Sequence, residues 1–288
     1  MNQDITLVEC PRDAMQGWEK PIPTEEKIIY LNSLLKVGFD VLDFGSFVSA
    51  KAIPQLADTK NVIPHLDLTN TNTKLLAIIA NTRGAKDAVE YNEITYLGFP
   101  FSISETFQLR NTNKTIAQSL IEVQEMQDLC VNNNKELVIY ISMGFGNPYN
   151  DEYNADIAIN WVDKLDKLGI KTIAMSDTVG VAKPDTIQYI FNKLIPEFKN
   201  IKIGAHFHSE INTWEEKINA AYQNGCLRFD SAMKGIGGCP MAEDELVGNI
   251  ATENIINWCD KNNISLNINR TAFAEAYNMA GRIFGTQH

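Results

Sequence analysis

The sequence predicts an α/β fold, a single (β/α)8 TIM barrel with extra C-terminal helices. Three observations predict it. Eight short apolar, β-branched runs alternate with helix-patterned segments over roughly 235 residues. A helix, a glycine and an apolar strand recur in that order at Gly38, Gly169 and Gly225. The first strand-to-helix turn, PRDAMQG, lacks the GxGxxG of a doubly wound open sheet, the main competing architecture.

The strands are read at Ile5–Cys10, Val41–Phe47, Lys74–Ala80, Glu93–Phe99, Leu137–Met143, Thr172–Ser176, Ile201–Phe207 and Leu227–Met233. Between the first two, Thr24–Val37 places Ile28, Ile29, Leu31, Leu34 and Leu35 at helical spacing, with Thr24 as a cap and Gly38 beyond its end. Ala155–Leu168 repeats the design before Gly169, and Trp214–Gln223 repeats it before Gly225. In each case the glycine supplies a left-handed stop before the chain re-enters the sheet. After the eighth strand, Gly248–Cys259 and Asn269–Phe284 read as two further helices.

A length of 288 residues would accommodate two average domains, yet a barrel of about 250 residues is one. The whole chain, 1–288, is therefore read as one catalytic domain, with the barrel to about residue 240 and the helical extension over 248–288. The 25 basic and 36 acidic side chains give a net charge of −11, which disfavours a nucleic-acid role. An anionic substrate would need a local positive site. Five scattered cysteines with no CxxC indicate neither a zinc ribbon nor a disulfide framework. The start MNQDITLVEC lacks the features of a signal peptide, and no apolar run approaches the ~20 residues of a membrane span. A cytoplasmic protein without a membrane partner is expected.

Catalytic groups of such barrels gather at the C-terminal ends of the strands. Those ends carry Arg12-Asp13, Asp43 with Ser46, Ser176-Asp177-Thr178 and His206-Phe207-His208, and the eighth leads into GIGGCP at 235–240. In HxH on a strand, His206 and His208 point to one side and can converge on a divalent cation. A pair of hydrogen-bonded rim histidines is the alternative. Asp13 would add an oxygen ligand, a donor set that favours Mg²⁺, Mn²⁺ or a similar ion over structural zinc. Arg12 presents a permanently charged planar fork suited to a carboxylate or enolate oxygen, unless it merely pairs with Asp13 at the rim. Gly235, Gly237 and Gly238 permit positive φ and a mobile loop with Cys239 at its tip. Cys130, Cys226 and Cys259 read as packing residues.

Together these pieces resemble the 3-hydroxy-3-methylglutaryl-CoA lyase family, within the metal-dependent barrel lyases and aldolases. The resemblance runs through PRDAMQ at 11–16, SFVSAKAIPQLAD at 46–58, SETF at 104–107, SDTVG at 176–180, AHFH at 205–208, GIGGCP at 235–240 and GNIATEN at 248–254. It implies metal ligation by Asp13, His206, His208 and Asn249, with Mg²⁺ or Mn²⁺ as cofactor. It implies that Arg12 stabilises an enolate, that Cys239 assists proton transfer, and that Asp177 lies near the substrate hydroxyl. The implied reaction cleaves an acyl-CoA substrate, 3-hydroxy-3-methylglutaryl-CoA, into acetyl-CoA and acetoacetate, in a homodimer. Departures are Asp43 for a usual glutamate, Val8 where another is usual, with Glu9 facing away, and Ser209 for an aspartate. The alternatives are a barrel aldolase or acyl-CoA synthase acting on another 3-hydroxyacyl-CoA or keto acid, and a non-catalytic barrel that binds metal or acyl-CoA.

Overall fold

The structure is a computed structural model that describes residues 4–238 and 247–285. Its eight parallel strands close into one barrel in sequence order. They are β1 (Thr6–Glu9), β2 (Val41–Ser46), β3 (Lys74–Ile78), β4 (Ile94–Ser102), β5 (Glu136–Ser142), β6 (Thr172–Asp177), β7 (Lys202–Phe207) and β8 (Arg228–Ser231). The eighth strand pairs with the first in the register Val8↔Asp230, which completes the closure.

The helices fill the outer layer: α1 (Pro11–Gln16), α2 (Thr24–Val37), α3 (Thr59–Val62), α4 (Thr82–Ala88), α5 (Glu105–Thr112), α6 (Ile116–Asn132), α7 (Ala155–Lys167), α8 (Pro184–Glu197), α9 (Trp214–Gln223), α10 (Thr252–Lys261) and α11 (Arg270–Ile283). The longer ones turn a largely apolar stripe inward. In α8 that stripe is Ile187, Ile190, Phe191 and Leu194, all fully buried, each worth roughly 1.5–3 kcal/mol of transfer free energy. Side chains also cap the helix starts: Ser104 accepts from Phe107 N at α5, and Asn154 from Ile157 N at α7. The glycines expected to stop three helices, Gly38, Gly169 and Gly225, have φ of 83°, 83° and 89°.

Two elements differ from the sequence reading in ways that matter at the mouth. The first strand ends at Glu9, and PRDAMQ forms α1 rather than an extended strand end. Proline at the first helical position has a suitable φ and no N–H to satisfy. The segment read as one helix over Gly248–Cys259 becomes helical only at Thr252. Before that, Asn249 forms an antiparallel bridge to His208 and Ala251 a parallel bridge to Ala232. This stretch closes over the barrel rim before α10 begins.

The C-terminal helix α11 packs against α2, and Phe284 meets Trp18 and Tyr30 edge to face at 5.3 and 6.0 Å. Among the described residues no helix is long and apolar enough to cross a membrane. Cys10, Cys130, Cys226 and Cys259 are buried free thiols, as a packing role requires.

Candidate metal centre at the barrel mouth

Strand parity builds the centre. His206 pairs across the ladder with Ser176 on one side and Asp230 on the other, so these three side chains share one inward layer. His208 follows two residues later on the same side, and the two imidazole centroids are 5.3 Å apart. Asp13 enters from the first turn of α1. One ring nitrogen from each histidine and one Asp13 oxygen lie within 4.8 Å of one another.

The hydrogen bonds around these groups leave a hole of one chemical sign. His208 Nδ1 is 3.0 Å from the Thr178 carbonyl, which can only accept, so Nδ1 carries the proton. Its Nε2 is then a lone pair, buried and without a hydrogen-bond partner among the described residues. Burial, with His206 beside it, pulls the His208 pKa down to about 4, which keeps the ring neutral. Burial alone would raise the Asp13 pKa, but Arg12, both histidines and the Asn249 amide hold it below the usual value. A carboxylate and a neutral imidazole lone pair facing one point want a cation. The residues fit a divalent ion.

Asn249, expected as the fourth ligand, is 5% exposed and stands at the centre: its amide donates to Asp13 Oδ2 at 2.6 Å and to the Ile236 carbonyl at 3.0 Å. Gly237 runs directly above. A Cβ there would lie 2.5 Å from Asn249 Nδ2 and 3.0 Å from the Asp13 backbone, and φ is +107°. Gly235 and Gly238 also take positive φ. Cys239 lies outside the described residues.

Arg12 is clamped rather than mobile. Its Nε and Nη2 donate to Asp43 Oδ2 at 3.0 and 2.5 Å, and Nη1 donates to Asp13 Oδ1 at 2.8 Å and Gln16 Oε1 at 2.9 Å. Four of its five N–H groups are thus engaged, leaving one on Nη2 among the described residues. Burial would lower the Arg12 pKa, but Asp43 and Asp13 more than compensate, so it stays charged. Asp43 therefore reaches the arginine despite being one methylene shorter than glutamate. Burial pushes its own pKa up to about 6 against the pull of Arg12. Asp43 does not line the pocket; it orients Arg12.

Asp177 corrects the sequence expectation. It is the last residue of β6 and points away from the mouth, whereas its neighbours Ser176 and Thr178 line the pocket. Alternation along the strand sends it outward, where it meets Lys217 Nζ at 2.7 Å and accepts the Ala182 N–H. It is 1% exposed and is not among the residues that line the pocket. Glu9 does face away from the barrel interior as read, accepting from Met233 N and Thr252 Oγ1.

Sequence reading missed two supporting groups. Asp230 Oδ2 sits 3.3 Å from His206 Nδ1, and Asp230 Oδ1 sits 2.8 Å from Arg228 Nη1 in ion-pair contact, out of line for a hydrogen bond. The other is Lys217. For Asp230 a signal existed, since it is a carboxylate in the middle of the apolar run Leu227–Met233 read as the eighth strand. Cys10, His206 and Asp230 also lie within 4.8 Å of one another. That group is a poor cation site: Arg228 already neutralises Asp230, and burial together with Asp230 and Asp43 keeps the Cys10 thiol protonated.

The centre opens onto a pocket of about 260 Å³, far more than an ion needs. Its far wall is apolar, with Val48, Ile53, Ile78, Ala80 and Phe107 facing Arg12 and the histidines. Arg12 and Asp13 bring charge to this lining, with His206 and His208 beside them.

The HMGL-like family profile matches residues 5–280. The chain belongs to the HMGL-like family. Within it, the chain is 32% identical over 267 residues to the hydroxymethylglutaryl-CoA lyase YngG of Bacillus subtilis, covering 92% of this chain and 88% of that one. It is 28% identical over 254 residues to a Pseudomonas aeruginosa 3-hydroxy-3-isohexenylglutaryl-CoA/hydroxymethylglutaryl-CoA lyase, covering 88% of this chain and 83% of the relative. Among solved structures, an HMG-CoA lyase from A. baumannii in complex with coenzyme A and 3-methylmalate superposes with a TM-score of 0.90 at 30% identity, covering 98% of this chain and 92% of that one. The HMGL-like family is metal-dependent, in keeping with the donor set assembled here.

Proposed function

We propose that this chain is a divalent-cation-dependent carbon–carbon lyase that cleaves 3-hydroxy-3-methylglutaryl-CoA to acetyl-CoA and acetoacetate. The observation that carries the reading is the meeting of Asp13, His206 and a His208 Nε2 without a partner among the described residues, beside a clamped Arg12, on a chain of this family. Asp13, His206, His208 and Asn249 would hold the ion, and the hard oxygen donors favour Mg²⁺ or Mn²⁺. When bound, such an ion lowers the pKa of the substrate's tertiary alcohol and anchors its carboxylate.

The chain's own residues supply the rest. Cleavage puts negative charge on the thioester oxygen as the acetyl-CoA enolate departs. Arg12, fixed by Asp43 and Asp13 with one Nη2 N–H unused among the described residues, offers a charge and a donor that need not reorganise. The imidazoles, aligned by Asp230 and the Thr178 carbonyl, each turn a ring nitrogen toward Asp13. The apolar wall excludes water while the enolate persists. The family resemblance supports Cys239 as the group that assists protonation of the enolate carbon. It also supports a homodimer, which light scattering of the purified chain tests.

The decisive experiment is turnover of a panel of 3-hydroxy-3-alkylglutaryl-CoA thioesters with and without Mg²⁺ or Mn²⁺. Metal-stimulated release of acetoacetate from the methyl compound is the expected result. Release of free CoA from acetyl-CoA and a keto acid, with no acetoacetate, would instead establish a condensing enzyme.

A further inference from the structure

A buried cation packs against the elements of this centre without entering the chemistry described above. Lys217 of α9 is 2% exposed, and its Nζ donates to Asp177 Oδ2 at 2.7 Å, the Gly180 carbonyl at 2.9 Å and the His208 carbonyl at 2.9 Å. An ammonium has three N–H donors, and all are used. The acceptors come from the turn after β6 and from the end of β7. That same turn supplies Thr178, whose carbonyl aligns the His208 ring and whose hydroxyl accepts from Met143 N. A single nitrogen thus ties the His208 backbone to the turn that orients the His208 imidazole.

We propose that Lys217, acting with Asp177, is a positioning residue for His208 that aims its Nε2 at Asp13 and so sets cation affinity. The proposal rests on His208 being a ligand, as in the function above. An apolar contact could close α9 on the barrel without desolvating an ion pair, a substitution that is often neutral or stabilising. What an apolar contact cannot supply is three directed bonds to two loops. The pair also explains why Asp177 stands at the mouth in sequence yet away from it in space.

The test uses Mn²⁺ as the probe, with free Mn²⁺ read by its paramagnetic resonance in titrations of the full chain. Wild type binds one ion, and His208→Ala abolishes that binding. In the doubly neutral variant Asp177→Asn with Lys217→Met, circular dichroism and melting report an intact fold, yet the Mn²⁺ dissociation constant rises about 10- to 100-fold. Lys217→Gln, a milder change that keeps an amide donor for the carbonyls, gives a smaller rise and serves if the double variant does not fold. Wild-type affinity in a folded double variant, or in Lys217→Gln, overturns the positioning role while the ligand assignment stands. Wild type with no Mn²⁺ binding sensitive to His208→Ala overturns both.

Discussion

His206 Nδ1 faces Asp230 Oδ2 at 3.3 Å, and Asp230 is held from below by Arg228, whose Nη1 is 2.8 Å from the other oxygen. The carboxylate fixes which ring nitrogen carries the proton, so Nε2 is left for the mouth. Asp230→Asn keeps the shape but removes the charge. Metal affinity and kcat should each fall about 10- to 100-fold. The fold should lose roughly 3–5 kcal/mol, because Arg228 is left buried without its anion. Mn²⁺ titration and urea unfolding of the same preparation measure the two effects.

Arg12→Lys is expected to cost about 100- to 1,000-fold in kcat with a much smaller change in KM. An ammonium cannot reproduce the fork that bridges Asp43, Asp13 and Gln16. Steady-state acetoacetate release provides the measurement, and retained Mn²⁺ binding would show that the loss is chemical.

Glu9 makes stability depend on pH. Burial raises its carboxyl pKa to about 8, although Thr252 and the Met233 N–H pull the other way. The folded state then binds more protons than the unfolded chain between the usual carboxyl value and about pH 8, so stability falls as pH rises through that window. The slope is roughly 1.4 kcal/mol per pH unit. Glu9→Gln should flatten it, with denaturation midpoints diverging in favour of the variant from pH 5 to pH 8.

Gly237→Ala should weaken Mn²⁺ binding and destabilise the fold by roughly 1–3 kcal/mol. The new methyl would meet Asn249 and the Asp13 backbone at a φ of +107°. Gly17→Ala is the control, since a Cβ there meets nothing within 4 Å and φ is −97°. Parallel thermal melts and Mn²⁺ titrations of both variants distinguish them.

The barrel was legible because its signals are local: apolar runs of strand length, and glycine stops whose positive φ the fold requires. His206, His208, Asp13 and Arg12 were legible because HxH parity and strand-end position place them at one mouth. The role that the resemblance implied for Asp177 ignored parity: Asp177 follows the inward-facing Ser176, and a single step along a strand reverses the side-chain direction. Lys217 gave no signal, since a lysine in a surface-helix pattern reads as solvated and only α9 packing shows otherwise. The Gly248–Ala251 bridge was hidden because its pairing partners, His208 and Ala232, lie far off in sequence.

The Asn249–Asp13 bond spans 236 positions, joining the start of the barrel to the segment that follows its last strand. A ribosome must therefore have carried synthesis past Asn249 before the centre can exist. Nascent chains that end between His208 and Asn249 carry the arginine and both histidines but lack the clasp. Once the clasp forms, any ion that binds there adds its own free energy to the junction between the first and last parts of the barrel. Catalytic competence thus serves as a report that the segment after the last strand has been made and has closed on the first.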